Sequence, residues 1–141
     1  MWPSLEEIDQ LTERIIGCAI EVHKTLGAGL LESVYRECMI IEMRSAQLRF
    51  DCERPVQLSY KGVLLNSTLR VDLLIDELVV VELKAIESLH PVHQAQVITY
   101  LKLSGCPSGL LLNFNVTAMK AGVKRLEHPD LYFHKKQKFS S

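Results

Sequence analysis

Leu5, Ile8, Leu11, Ile15, Ala19, Val22 and Leu26 recur three and four residues apart, the period of an amphipathic helix. Ser4 and Glu7 place an S-x-x-E capping box at its start. The helix should stop at Gly27-Ala28-Gly29, since glycine accepts the left-handed conformation of a helix end. A second helix is predicted from about Leu30 to Gln47. From Pro55 the period falls to two: Val56, Leu58 and Tyr60 alternate with Gln57 and Ser59, and Lys61-Gly62 supplies a turn. Further strands are predicted over Val63–Ile75 and Leu78–Ala85, joined around Asp76-Glu77. His90 to Leu103 returns to helical spacing, and Gly109–Phe114 is almost wholly apolar, as in a strand covered on both faces. A weaker helix is predicted around Thr117–Lys124. Three strands in a meander that gain a fourth through a helical crossover give a mixed sheet with helices packed on it, an α/β (α+β) fold.

With 141 residues the chain fits one domain, with a core over about 8–126 and a basic tail at 134–141. Sixteen basic against seventeen acidic residues give a net charge of −1, so no global positive field draws it to nucleic acid or anionic lipid. Any such binding needs a local patch, and the tail segment His134–Lys138 is either that patch or a solvated end. The cysteines, Cys18, Cys38, Cys52 and Cys106, show no CxxC pairing and are read as buried thiols of a reducing compartment. No signal peptide or membrane span is legible, which points to a cytoplasmic protein.

The stretch "VDLLIDELVVVELKA", Val71 to Ala85, raises the chemical question. It reads as two core strands, yet it carries Asp72, Glu82 and Lys84 where burying a charge is expensive. Glu82 and Lys84 lie two apart and so share a strand face with Leu78 and Val80. Register decides whether Asp72 joins them. A two-residue loop at Asp76-Glu77 sets Asp72 against Val81, whereas a three-residue loop or a bulge sets Asp72 against Glu82 and Arg70 against Lys84. In the second arrangement the facing carboxylates require a cation, because like charges across a ladder destabilise it. A salt-bridged hairpin and a metal site built at the end of a sheet both remain open.

Elsewhere, Glu32 and Tyr35 lie on one face of the second helix, where Gly29 as N-cap and Glu32 as third residue is the simpler reading. Gln96 and Tyr100 are one helical turn apart. His90 and His93 open that helix as capping or exposed residues, with His93 one turn before Gln96 and so a candidate substrate contact. Trp2 is read as a packing anchor.

Taken together, Gly29-x-x-Glu32-x-x-Tyr35, "RVDLLI", "VVVELKA", "QVITYLKL" and "GLLLNF" resemble the PD-(D/E)XK nuclease superfamily, and within it the GxxExxY family, over about Ile8 to Leu126. The resemblance implies a restriction-endonuclease-like αβββαβ core. It implies that Asp72, Glu82 and the backbone carbonyl of Leu83 hold Mg²⁺ or Mn²⁺, and that Glu32 reaches the metal directly or through water. Lys84 would orient or deprotonate the attacking water, while Gln96 and Tyr100 match a Q-x-x-x-Y motif of the RecB-like branch. Val71 stands where the motif has proline. Tyr35, His93 and Arg70 are candidate substrate contacts. The implied activity is metal-dependent hydrolysis of nucleic acid, with DNA as the expected substrate. A homodimer or another protein partner would supply the basic surface that the monomer's charge does not. The alternative is a non-catalytic nucleic-acid- or protein-binding module that keeps the fold.

Overall fold

The structure, a computed structural model, describes residues 2–131; the basic tail and its His134–Lys138 cluster lie outside the described residues. Helix α1 spans Leu5–Leu26, and the Ser4 hydroxyl accepts the Glu7 N–H at 3.1 Å as its cap. Its apolar stripe, from Ile8 through Ile15 to Val22, is buried. Helix α2, Glu32–Ser45, begins later than its periodicity suggests: the N-cap is Leu31, with no side-chain cap bond, so Glu32 is its first residue and Gly29 is not the cap. Gly29, with φ of 93°, belongs to the turn between the helices.

Five strands form one sheet in the order β1-β2-β3-β4-β5: β1 Phe50–Tyr60, β2 Val63–Ile75, β3 Val79–Lys84, β4 Ser108–Asn113 and β5 Val123–Glu127. Strands β1, β2 and β3 are antiparallel neighbours. Helix α3, Pro91–Ser104, crosses over to place β4 parallel to β3. The sheet is mixed and carries helices on both faces, the α+β architecture read from the sequence.

One element departs from the pattern. The segment read as a weak helix, Thr117–Lys124, is a 3-10 turn over Met119–Gly122 leading into β5. Val-Lys-Arg-Leu-Glu buries only Leu126, so its apolar signal is faint, but its backbone pairs with β4 from Leu112↔Val123 to Ser108↔Glu127. Only glycine fits where the turn meets β4: at Gly122 a Cβ would lie 1.9 Å from the Asn113 carbonyl oxygen.

Two cores result. Leu73, Ile75, Val79, Val81 and Leu83 pack with α1 and α2, whereas Leu74, Val80 and Leu111 pack with Val97 and Leu101 of α3. Each fully buried aliphatic side chain contributes about 1.5–3 kcal/mol by leaving water. Close approach of α3 to β4 depends on Gly109, where an added Cβ would fall 2.7 Å from Val97 Cγ1.

All four cysteines are free thiols. Cys18 and Cys106 are buried as expected, but Cys52 is exposed on β1 and Cys38 is half-buried at the margin of the core that α1 and α2 cover. The distal end of the β1–β2 hairpin leaves Tyr60, Val63 and Leu64 about two-thirds exposed. Among the described residues no helix is long and apolar enough to cross a membrane.

Candidate active site

Strands β2 and β3 pair as Ile75↔Val79, Leu74↔Val80 and Leu73↔Val81, leaving Asp76, Glu77 and Leu78 as a three-residue connection. Asp76 and Glu77 both take positive φ, 54° and 60°, and the Leu78 N–H closes the turn on the Ile75 carbonyl at 2.9 Å. Continued by one step, this register sets Asp72 across from Glu82.

The ladder itself stops at Leu73↔Val81. On its other side β2 pairs with β1 at Leu73↔Cys52 and Val71↔Arg54, but the intervening Asp72 and Glu53 form no pair, and Glu53 has φ of 48°. The chain kinks there. Val71 consequently packs with the α3-side core, although Leu73, two residues later, packs on the opposite side.

Asp72 thus sits where β2 leaves its neighbours, with its backbone N–H outside the ladder. That N–H donates to Glu82 Oε1 at 3.2 Å, and the Leu83 N–H donates to Asp72 Oδ2 at 2.8 Å. The carboxylates interlock with the strand ends instead of projecting side by side from one flat face, as ideal alternation would have them.

In an extended strand the N–H and C=O of one residue leave on the same edge. The Leu83 carbonyl therefore shares the edge on which its N–H meets Asp72, while the Lys84 carbonyl faces β4 and accepts the Phe114 N–H at 2.9 Å.

Glu82 is buried, and its pKa is pushed up to about 8, first by burial and then by the negative charge of Asp72. The hydrogen bond from the Asp72 N–H and the positive charge of Lys84 oppose the rise. Tyr100 on α3 is raised as well, by burial and then by the charges of Glu82 and Asp72, so its hydroxyl keeps its proton and can donate. Gln96 lies one turn earlier on α3, and with Lys84, His93 and Thr99 it lines an open cleft of about 530 Å³. The structure thus gathers Asp72, Glu82, Leu83, Lys84, Gln96 and Tyr100 around the end of β3.

The other expected residues fall differently. Glu32 approaches from α2, but the side chain beside it is Arg36, whose Nη2 lies 3.4 Å from Glu32 Oε1 and 3.2 Å from Asp72 Oδ1. Tyr35, a candidate substrate contact, is fully buried and unable to touch one. Its hydroxyl donates to the Gly27 carbonyl at 2.7 Å and accepts the Leu30 N–H at 3.2 Å, and its ring stacks on Phe114 at 4.6 Å. It pins the inter-helix turn.

His93 Nδ1 accepts the His90 N–H at 2.9 Å, which closes the start of α3 and leaves the edge of the ring at the cleft. Arg70 is exposed, pairs with Pro55 in the ladder, and donates to the Glu53 carbonyl at 3.3 Å. The ladder does not extend far enough to set it against Lys84.

Two supporting residues were missed from the sequence. Arg36 reaches across 36 positions to Asp72, a separation that helix periodicity does not address. Asn113, at the end of an apolar run, is buried and clamps the segment after β3: Oδ1 accepts the Ile86 N–H at 3.1 Å and Nδ2 donates to the Ile86 carbonyl at 3.0 Å. A polar residue closing an otherwise apolar strand was the available signal.

A buried and a half-buried carboxyl group with a backbone carbonyl on the same edge form a hard-oxygen donor set, and this suits a divalent cation such as Mg²⁺. Among the described residues no three His, Cys, Asp or Glu side chains converge as ligands. The protein would therefore supply few ligands, and Mg²⁺ tolerates this because it keeps several waters.

The family model of the PD-(D/E)XK nuclease superfamily matches residues 9–126. No curated protein and no solved structure matches the chain.

Proposed function

The chain belongs to the PD-(D/E)XK nuclease superfamily, and we propose that it is a metal-dependent phosphodiesterase that hydrolyses nucleic acid, with DNA as its substrate. The observation that carries this reading is the interlocked pair Asp72 and Glu82 at the parting of β2 and β3, with Lys84 two residues further along β3. Glu-x-Lys by itself is a common surface pair, but here its glutamate is buried against a second carboxylate. The match to the superfamily and the crossover of α3 beside the pair support the same assignment.

Asp72, Glu82 and the Leu83 carbonyl would hold Mg²⁺ or Mn²⁺, with Glu32 contributing through water. Such an ion, when bound, neutralises phosphate oxygens and makes a neighbouring water a stronger acid. Lys84, half-buried at the cleft, would orient the attacking water by hydrogen bonding and stabilise the negative charge that develops on it. Gln96 and Tyr100 donate to phosphate oxygens from the α3 wall, and the charges that keep the Tyr100 hydroxyl protonated support that role. His93 and the exposed Arg70 extend the contact along the backbone of the nucleic acid.

The net charge of −1 leaves little non-specific attraction to a duplex. A homodimer that covers the apolar hairpin end at Tyr60, Val63 and Leu64 would bring two clefts to one duplex. The proposal is tested by incubating the purified protein with Mg²⁺ or Mn²⁺ and DNA or RNA, alongside Glu82→Ala and Lys84→Ala. Cleavage should be lost in both variants. Cleavage that survives both would come from elsewhere, and binding without cleavage would favour a non-catalytic module.

A further inference from the structure

The roles assigned so far leave Arg36 without a task, although its guanidinium occupies the middle of the site. Nη2 lies 3.2 Å from Asp72 Oδ1 and 3.4 Å from Glu32 Oε1, and Nη1 lies 3.7 Å from Glu53 Oε1. One cation faces three carboxylates. Optimised charge-assisted bonds run to about 2.7–2.9 Å and often form a two-bond fork on one carboxylate. Arg36 makes longer contacts and forks on none of its partners. Its Nε is buried without a hydrogen-bond partner, an arrangement that a permanent structural ion pair would avoid.

The two oxygens of Asp72 are divided between partners. Oδ2 accepts the Leu83 N–H, and Oδ1 is held by Arg36. An incoming cation would therefore meet Asp72 at the oxygen that Arg36 occupies, and two cations crowded on one oxygen repel.

We propose that Arg36 is a displaceable counter-ion: it neutralises Asp72 and Glu32 in the metal-free chain, yields Asp72 Oδ1 when a divalent cation binds, and turns its freed N–H groups to a substrate phosphate. This rests on the metal-dependent reading and extends it. A guanidinium is suited to both duties, because it stays charged at all relevant pH values and its planar donors match carboxylate and phosphate oxygens alike. Glu32, one turn earlier on the same helix, and Glu53 keep Arg36 beside the site after it leaves Asp72.

The test is a calorimetric titration of the full chain with Mn²⁺, comparing wild type with Arg36→Gln, Arg36→Met and Arg36→Lys. Removing the competing charge should tighten Mn²⁺ binding about tenfold in the Gln and Met variants, the effect of one close, partly screened ion pair. Arg36→Lys, which keeps the charge, should stay near wild type. The Met variant preserves the packing of the stem if Gln proves unstable.

In a Lys84→Ala background that leaves DNA intact, Arg36→Gln should weaken duplex binding in Mn²⁺ while it tightens the metal, whereas a structural role would move both the same way. Firm Mn²⁺ binding by wild type with unchanged or weaker binding in both neutral variants would overturn the role of Arg36 alone. Absence of Mn²⁺ binding in every variant would remove the metal-dependent reading with it.

Discussion

Asp72 and Glu82 are joined by the backbone of one and the side chain of the other: the Asp72 N–H donates to Glu82 Oε1 at 3.2 Å. This bond exists because Asp72 lies outside both ladders of β2, so its amide is available to a carboxylate instead of a carbonyl. The same step fixes the Asp72 carboxylate against the Leu83 N–H. A local interruption of the sheet thereby becomes a rigid pair of carboxyl groups, and pH, packing and metal binding should all report on it.

The pair makes metal-free stability depend on pH. Glu82 titrates near 8 in the folded chain against 4.5 for an ordinary glutamate, so between those values the folded chain keeps a proton that the unfolded chain has lost. Its contribution is complete below pH 4.5 and is lost as pH rises through about 8. Denaturant melts without divalent cation should show stability falling across this window with a slope of up to about 1.4 kcal/mol per pH unit from this group. Glu82→Gln should flatten that component, and an unchanged slope in the variant would contradict the assignment.

Tyr35→Phe separates support from chemistry. The substitution removes the hydroxyl that joins the Gly27 carbonyl and the Leu30 N–H but keeps the ring stacked on Phe114. A loss of about 1–2 kcal/mol in unfolding free energy is expected, the worth of a buried hydrogen-bonded hydroxyl. Mn²⁺ affinity of the folded variant should be that of wild type, and a large fall would mean that Tyr35 acts at the site after all.

Gly109→Ala tests the seating of α3. The new methyl group meets Val97 Cγ1 at 2.7 Å, and also Leu101 Cδ2 and the Val80 carbonyl oxygen at 3.4 Å. The helix must shift or the Val97 side chain must turn, at a cost of about 1–3 kcal/mol. Because α3 carries Gln96 and Tyr100, cleavage by the folded variant should fall further than its metal affinity, which depends on β2 and β3.

Much of the fold was legible because its period changes are sharp. The stripe from Leu5 to Leu26 identified α1, and the run from Leu78 to Ala85 identified β3 together with its polar end. The three-residue connection after Ile75 was left open by the sequence, which set a two-residue loop against a three-residue loop or a bulge and tied only the latter to the metal reading. Strand β5 was not legible, because an edge strand that buries only Leu126 relies on backbone pairing that leaves little trace in side-chain pattern. Arg36 was missed for a related reason, since its partners Glu53 and Asp72 are brought to it only by tertiary folding. The kink at Asp72 was also hidden: period-two reasoning assumes unbroken alternation, and Glu53 breaks it from the neighbouring strand.

The central claim, that Asp72 and Glu82 form a divalent-cation site, is met most directly by calorimetric titration of wild type and Glu82→Gln with Mn²⁺ at pH 7.5 in two buffers of different ionisation heat. Wild type should bind the ion and release a proton to the buffer as it does so, because burial and Asp72 keep Glu82 largely protonated until the cation arrives. Glu82→Gln should bind far more weakly and release no such proton. Absence of binding by wild type, or binding that is equally tight and proton-neutral in both proteins, would contradict it.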